Sequence, residues 1–370
     1  MVYKVIGVMS GSSLDGLDIA YVQLQETAGK WTYEILQADC LAYEAEWIAR
    51  LMNAVHLPGM NYQLLHTAYG HYIGQQVNVF IDKYQLHHQV HLLASHGHTT
   101  FHLPQQKMTA QLGDGAAIAA VTGLPVVSDL RAMDVALGGQ GAPIVPIGEK
   151  LLLPGYNFFL NIGGIANLSF NQPEAYIAFD VCPANRVLNM LAEKTGRAFD
   201  ENGQLAATGS VHNVLLEKLN GLDYYHKVFP KSLANDFGTT LVFPLIEAYG
   251  LREDDALRTY TEHIAVQIAR AASHLLAHEK AKNETGKTHS LLITGGGAFN
   301  RFLVERIQEQ LKPFLIETVV PDQQLVNYKE ALVMALIGVL RWREEYNVLS
   351  SVTGAERNSI NGALWLGGEA

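Results

Sequence analysis

Apolar and polar positions fall into short runs separated by glycine-rich breaks. Residues 5–8 are apolar, Ser10-Gly11-Ser12-Ser13 has turn composition, and residues 17–22 resume a strand pattern. This predicts strand, glycine turn, strand, with residues 33–36 and 40–43 extending the same sheet. Between residues 46 and 84, Leu51, Val55, Leu64, Leu65, Ile73 and Val77 follow helical spacing. Further strands are predicted at 90–94 and 125–128, a turn at 111–115 and a helix at 116–122. Gly138-Gly139-Gln140-Gly141-Ala142-Pro143 is rich in breakers and reads as a hinge or a binding loop.

The second half repeats this logic. A strand at 157–162 runs into Gly163-Gly164, and Leu168 and Phe170 mark a returning strand. Residues 178–180 end a third strand, followed by a helix at 185–193. A long amphipathic helix is predicted at 261–280, then a buried-type strand at 290–294 ending in Gly295-Gly296-Gly297. Helices follow at 300–311 and 329–342. No tandem repeat of 20 to 50 residues is visible. The pattern fits a mixed α/β protein of two related domains with a cleft between them.

Composition narrows the partners. The 370 residues are 48% hydrophobic and 17% charged, which supports a sizeable core and excludes a disordered chain. A formal net charge of -10 argues against nucleic-acid binding through a basic surface. Cys40 and Cys182 are far apart and have no CxxC spacing, so neither a disulfide framework nor a zinc knuckle is expected. The apolar start is too short for a signal peptide. No apolar run approaches the roughly 18 residues of a membrane span. A cytoplasmic protein is expected.

Six places carry candidate chemistry. In residues 7–18, glycines let backbone N–H groups approach phosphate oxygens, serines add donors, and Asp15 and Asp18 offer hard oxygens for magnesium, directly or through water. An ordinary hairpin is the competing reading, and no GxxxxGK[ST] motif is present. In residues 161–168, Asn167 is a candidate phosphate donor; a tight sheet turn is the alternative. In residues 292–300, strand, triple glycine and helix start suit a nucleotide. Asp180, at a strand end, suits a base that takes a proton from a hydroxyl or water, or else an N-cap of the next helix. His96, His98 and His102 lie close together without a carboxylate ligand beside them, so hydrogen bonding to a sugar, or packing, outranks zinc. Arg131, Asp134 and Glu330 are candidates for a polar ligand or for surface salt bridges.

The segments GVMSGSSLDGLD, SHGHTTFHLP, QLGDGAAIA, DLRAMDVALGGQGAPIVP, NIGGIANLS, TGGGAFN and SVTGA occur in this order along the chain. Together they resemble the signature segments of anhydro-N-acetylmuramic acid kinases, within the sugar kinase and actin superfamily. The resemblance implies two related actin-like (ribonuclease H-like) domains with a nucleotide cleft between them, divided as 1–130 plus 345–370 and 131–344. It implies ATP with magnesium, a small sugar substrate and a homodimer. Such kinases hydrolyse the 1,6-anhydro bond of 1,6-anhydro-N-acetylmuramic acid and phosphorylate O6.

On that reading Gly11, Ser12, Ser13, Leu14, Asp15, Gly16, Leu17 and Asp18 form the first phosphate turn. Gly163, Gly164 and Asn167 form the second, and Gly295, Gly296, Gly297 and Asn300 face the nucleoside. Asp180 matches the base, and His96, Arg131, Asn185 and Glu330 fall on the sugar side. The sequence departs from the family where Asp-Thr-Gly-Pro-Gly-Asn is usual and Asp180-Val181-Cys182-Pro183-Ala184-Asn185 stands here. His98 replaces a usual glutamine, and Lys231-Ser232 lacks the Thr-Gly that usually follows. These changes leave open a same-fold kinase for another sugar, or a non-catalytic nucleotide or sugar sensor.

Overall fold

The computed structural model describes residues 1–11, 13–172, 176–229, 231–234, 236–280 and 288–368. In chain order the strands are β1 (Val2–Ser10), β2 (Gly16–Thr27), β3 (Lys30–Ala42), β4 (Leu92–Ser95), β5 (His98–Leu103), β6 (Met108–Leu112), β7 (Val126–Ser128), β8 (Phe158–Ile162), β9 (Ile165–Asn171), β10 (Tyr176–Pro183), β11 (His289–Thr294), β12 (Ile316–Val319) and β13 (Ala363–Trp365). The first sheet has the order β13-β7-β4-β1-β2-β3 and the second β10-β9-β8-β11-β12.

Both sheets are built by one rule. Three strands form an antiparallel meander (β1-β2-β3 and β8-β9-β10), and two more run parallel to the first strand of the meander (β4 and β7; β11 and β12). This strand order, used twice, is the actin-like, ribonuclease H-like arrangement that the sequence led us to expect. The central strands show why their sequences are apolar runs. Val5 to Val8 are all buried, and so are Phe158, Phe159 and Leu160, as expected for strands covered on both faces. At Gly7 the covering helix Gln323–Trp342 passes so close that a Cβ would lie 1.9 Å from the Ala331 carbonyl oxygen.

The chain divides into two compact units, Met1–Pro154 with Tyr328–Ala370, and Gly155–Asn327. The boundaries differ from the expected 130 and 345 because two helices belong with the first sheet. The helix Pro146–Leu152 is joined to the helix Gln323–Trp342 by an ion pair, Lys329 Nζ to Glu149 Oε1 at 3.0 Å, with side chains 5% and 4% exposed. The breaker-rich loop is likewise tied to the C-terminal segment. Asp134 is fully buried, and its carboxylate accepts from the Gly141 N–H (2.7 Å) and the Thr353 hydroxyl (2.7 Å). Its own N–H donates to Asn361 Oδ1 at 2.9 Å.

Other departures have local causes. The single helical stretch expected over 46–84 is two helices, Ala45–Met52 and Gly59–Tyr84, with Pro58 at the N-cap of the second. The helix expected at 261–280 begins earlier, at Glu253, with acidic Glu253, Asp254 and Asp255 in its first turn. Residues 98–112 form the hairpin β5-β6, too polar to stand out as strands.

Breaking a buried ion pair on one side leaves an uncompensated charge and costs about 3–5 kcal/mol. Lys329→Met is therefore expected to lower the unfolding free energy by that amount. The double variant Lys329→Met/Glu149→Leu should regain most of the loss. Equal destabilisation by the single and double variants in chemical denaturation would contradict this account.

Candidate functional site

In the first unit, β1 and β2 pair from Val2↔Gln25 through Ser10↔Leu17, which puts the first glycine turn at the end of a buried strand. Ser12 lies outside the described residues. The Ser13 hydroxyl donates to Asp15 Oδ1 at 2.6 Å, and Leu14 takes a left-handed conformation at φ 56°. Asp18, half-buried beside Cys40 on β3, has its pKa raised to about 6. Burial is the main cause; the Cys40 hydrogen bond opposes it, while the charges of Asp15 and Glu330 add to it. The charges of Asp15 and Glu330 thus add to that of Asp18 at this turn. Among the described residues no three acidic, histidine or cysteine side chains gather to hold a metal on their own; Asp15 and Asp18 are hard oxygen donors of the kind taken by a divalent cation that keeps several waters. Gly11 and Gly16 flank this turn, and Leu17 lies in the core at its far side.

Ser10 anchors the turn from below in a way the sequence did not signal. Its Oγ accepts hydrogen bonds from Tyr43 Oη at 2.8 Å and Tyr69 Oη at 3.0 Å and lies 3.2 Å from His98 Nδ1. All four residues are buried. The partners are 33, 59 and 88 residues away in the sequence, beyond any spacing rule.

His96, Arg131 and Glu330 do come together. His96 is buried; its Nδ1 lies 2.8 Å from the Gly97 carbonyl oxygen and its Nε2 accepts from Arg131 Nε at 2.8 Å. This assigns the proton to Nδ1. Burial and the Arg131 charge hold the imidazole pKa down at about 3, so it is neutral at physiological pH. Both ring nitrogens are engaged within the chain, by Gly97 and Arg131, where the resemblance implied a sugar-side role. Arg131 also donates from Nη1 to the Gly141 carbonyl oxygen at 2.6 Å and feels the charge of Glu330.

In the second unit, Asp180 stands at a register shift in β10 and is not an N-cap; Ala184 holds that place for the helix Asn185–Glu193. The amide of Asn167, its cross-strand partner on β9, donates to Asp180 Oδ1. The Leu233 N–H donates to Oδ2 at 2.8 Å, and Tyr224 Oη donates to the Asp180 carbonyl oxygen at 2.6 Å. Burial raises the carboxyl pKa while the Leu233 and Asn167 hydrogen bonds pull it back. The result is a fixed, half-buried carboxylate with raised basicity, suited to accepting a proton. Asn167, expected to face a phosphate, instead orients this carboxylate. Neither Cys182 nor Ala184 needs a positive φ: the strand runs to Pro183, and Ala184 has φ -131°.

The start of the helix Asn185–Glu193 is tied to the turn between β8 and β9. The Asn185 amide donates to the Ile162 carbonyl oxygen at 3.1 Å, and its backbone N–H donates to the Gly163 carbonyl oxygen at 3.0 Å. The Asn185 amide thus serves the fold, where the resemblance implied a sugar-side role. Asn300 caps the helix Arg301–Leu311, its Oδ1 accepting from the Leu303 N–H, where a nucleoside contact was expected. Gly295 and Gly297 are required by packing: added Cβ atoms would meet Asn161 Oδ1 at 2.7 Å and Ile162 Cγ2 at 2.2 Å. Gly163, Gly164 and Gly296 have no such reason. Their Cβ atoms would meet nothing closer than 3.5 Å, and none has a positive φ. Glycine there leaves the backbone accessible to something other than this chain.

The sequence profile described as anhydro-N-acetylmuramic acid kinase matches residues 3–367. The chain belongs to the anhydro-N-acetylmuramic acid kinase family. That family is one of phosphotransferases. An anhydro-N-acetylmuramic acid kinase from Vibrio parahaemolyticus is 32% identical over 97% of this chain and 97% of its own length. One from Synechococcus elongatus is 32% identical over 98% and 99%. Among solved structures, the activator of 2-hydroxyisocaproyl-CoA dehydratase from Clostridium difficile with bound ADPNP aligns over 93% of this chain at 13% identity and a TM-score of 0.43. The fold assignment rests on strand order instead. Among the described residues, no helix is long and apolar enough to cross a membrane.

Room at Gly163 and Gly296 separates folding from ligand approach. Gly163→Ala and Gly296→Ala are expected to keep stability within about 0.5 kcal/mol while sharply reducing the ATP-induced rise in Tm. Gly297→Ala overpacks Ile162 and should cost about 1–3 kcal/mol with or without ATP. Thermal melts with and without nucleotide test both; unaltered ATP shifts in the first two variants would contradict the reading.

Proposed function

We propose that this kinase hydrolyses the 1,6-anhydro bond of 1,6-anhydro-N-acetylmuramic acid and phosphorylates O6 with ATP, giving N-acetylmuramic acid 6-phosphate and ADP, a step of peptidoglycan recycling. The observation that carries the reading is the Asp180 carboxylate, held by Asn167 and Leu233 with raised basicity in a chain of this family. Asp180 takes a proton from a water as its oxygen bonds to the anomeric carbon. The C1–O6 bond breaks, and O6 takes the γ-phosphoryl group as ADP leaves. The proton held by Asp180 then passes to solvent.

The first turn, Gly11 to Asp18, and the backbone at Gly163, Gly164 and Gly296 serve the phosphates and nucleotide. Magnesium, held at Asp15 and Asp18 directly or through water, would neutralise charge on the phosphate oxygens. Arg131 and Glu330 bind sugar polar groups, and neutral His96 holds the Arg131 fork in place. The altered segment 181–184 favours, as a second reading, a related acceptor sugar. The enzyme works in the cytoplasm as a homodimer in this proposal; a monomeric mass in solution would remove the dimer.

The test is ADP release with magnesium–ATP and 1,6-anhydro-N-acetylmuramic acid on wild type and Asp180→Asn. Sugar-dependent release that falls at least about a thousandfold in Asp180→Asn is expected. A folded wild type that binds ATP yet releases no sugar-dependent ADP would sink this substrate and turn attention to other sugars. The acid limb gives a second reading. Asp180 acts when ionised, so kcat/KM should fall as pH drops through its pKa, which lies above the ordinary 3.8. Asn167→Ala removes a hydrogen bond to the ionised form and should move that limb to higher pH. A limb that stays in place would mean Asn167 does not tune the base.

A further inference from the structure

A cavity of about 270 Å³ beside residues 224–231 plays no part in the reaction described above. Its apolar wall is formed by Phe179, Tyr225 and Phe229, the Phe179 and Phe229 rings stacking at 5.6 Å and 10°. Lys227, Lys231 and Arg270 add three cations. No aspartate or glutamate lines it, and among the described residues none of the three cations forms an ion pair. In a chain with 36 acidic and 26 basic residues, three unbalanced cations at one cavity are not a matter of composition.

Two of the cations share one aromatic ring, and Arg270 is placed by the Asn220 carbonyl oxygen at 3.3 Å. Lys231 Nζ lies 4.6 Å from the centroid of the Tyr224 ring, and Lys227 Nζ lies 5.8 Å from the same ring. Lys231 donates only weakly, to the Tyr224 carbonyl oxygen at 3.3 Å. Burial lowers its pKa, and the Lys227 charge lowers it further. Alternation along β10 turns the Phe179 ring away from the face that bears the Asp180 carboxylate. The helix Glu253–Lys280, which supplies Arg270, covers that other face.

We propose that this cavity binds a small anion with a single apolar ring, of the class of a monocyclic aromatic phosphate or carboxylate. Its volume falls just below the usual range for ligand sites, about 300–1,000 Å³, which limits the occupant to one ring and its charged group. The rings stack on the apolar body, and Lys227, Lys231 and Arg270 pair with the anion. The bound anion rests against the segment whose Lys231 carbonyl oxygen and Leu233 N–H hold the backbone and carboxylate of Asp180.

Isothermal titration of the full chain with phenyl phosphate tests this, with a non-hydrolysable ATP analogue at saturation to fill the nucleotide site. One-site binding in the millimolar range or tighter is expected. Lys227→Gln/Arg270→Gln should weaken it at least about tenfold at unchanged Tm, and neutral benzyl alcohol should not bind. No binding to wild type, equal affinity in the double variant, or binding seen only without the ATP analogue would each overturn the proposal. The titration reads binding without turnover, so its outcome is separate from that of the ADP-release assay.

Discussion

A strand buried on both faces can meet a ligand only at its end, and the chemistry of this protein follows from that constraint. β1 and β8 are the central strands of their sheets, apolar through their middles and covered on both sides. Polar groups are therefore expelled to the places where these strands turn: Ser10 to Asp18 after β1, Asn161 to Asn167 around the β8–β9 turn. β11 obeys the same rule, passing from buried Ile293 and Thr294 into the triple glycine. The duplicated strand order sets comparable glycine turns in each unit.

The carboxylates show how burial becomes reactivity. Asp134 is wholly buried, yet two donors satisfy its oxygens and it stays a structural anchor. Asp180 is less buried, but its two donors only partly offset desolvation, leaving its affinity for a proton raised. Asp18 adds like charges to burial. The same side chain is thus a staple, a proposed base or a proposed cation ligand according to what surrounds it.

Much of this was legible in the sequence. The strand–turn–strand units, the three glycine turns and Asp180 at a strand end follow from apolar runs punctuated by glycine, signals that depend on near neighbours. Arg131, His96 and Glu330 could be named as separate candidates, and the fold brings them together. What escaped depends on distant contacts. The roles of Tyr43 and Tyr69 under Ser10, of Asn167 on Asp180 and of Asn185 on the β8–β9 turn belong to hydrogen bonds across strands or across tens of residues. The unit boundaries were misplaced because a buried Lys329–Glu149 pair, 180 residues apart in sequence, decides where two helices lie.

The Asp134 anchor and strand β13 have a consequence for how the protein comes into being. Synthesis delivers residues 155–327, a compact unit with its own sheet and core, before Thr353, Asn361 and β13 exist. The first-made 154 residues meanwhile lack the helix that covers Gly7, the strand that closes the edge at β7, and the hydroxyl that Asp134 accepts from. The chain's beginning must wait for its end, while the inserted middle can mature first. A nascent chain stalled shortly after residue 327 would present one finished unit and one unfinished sheet.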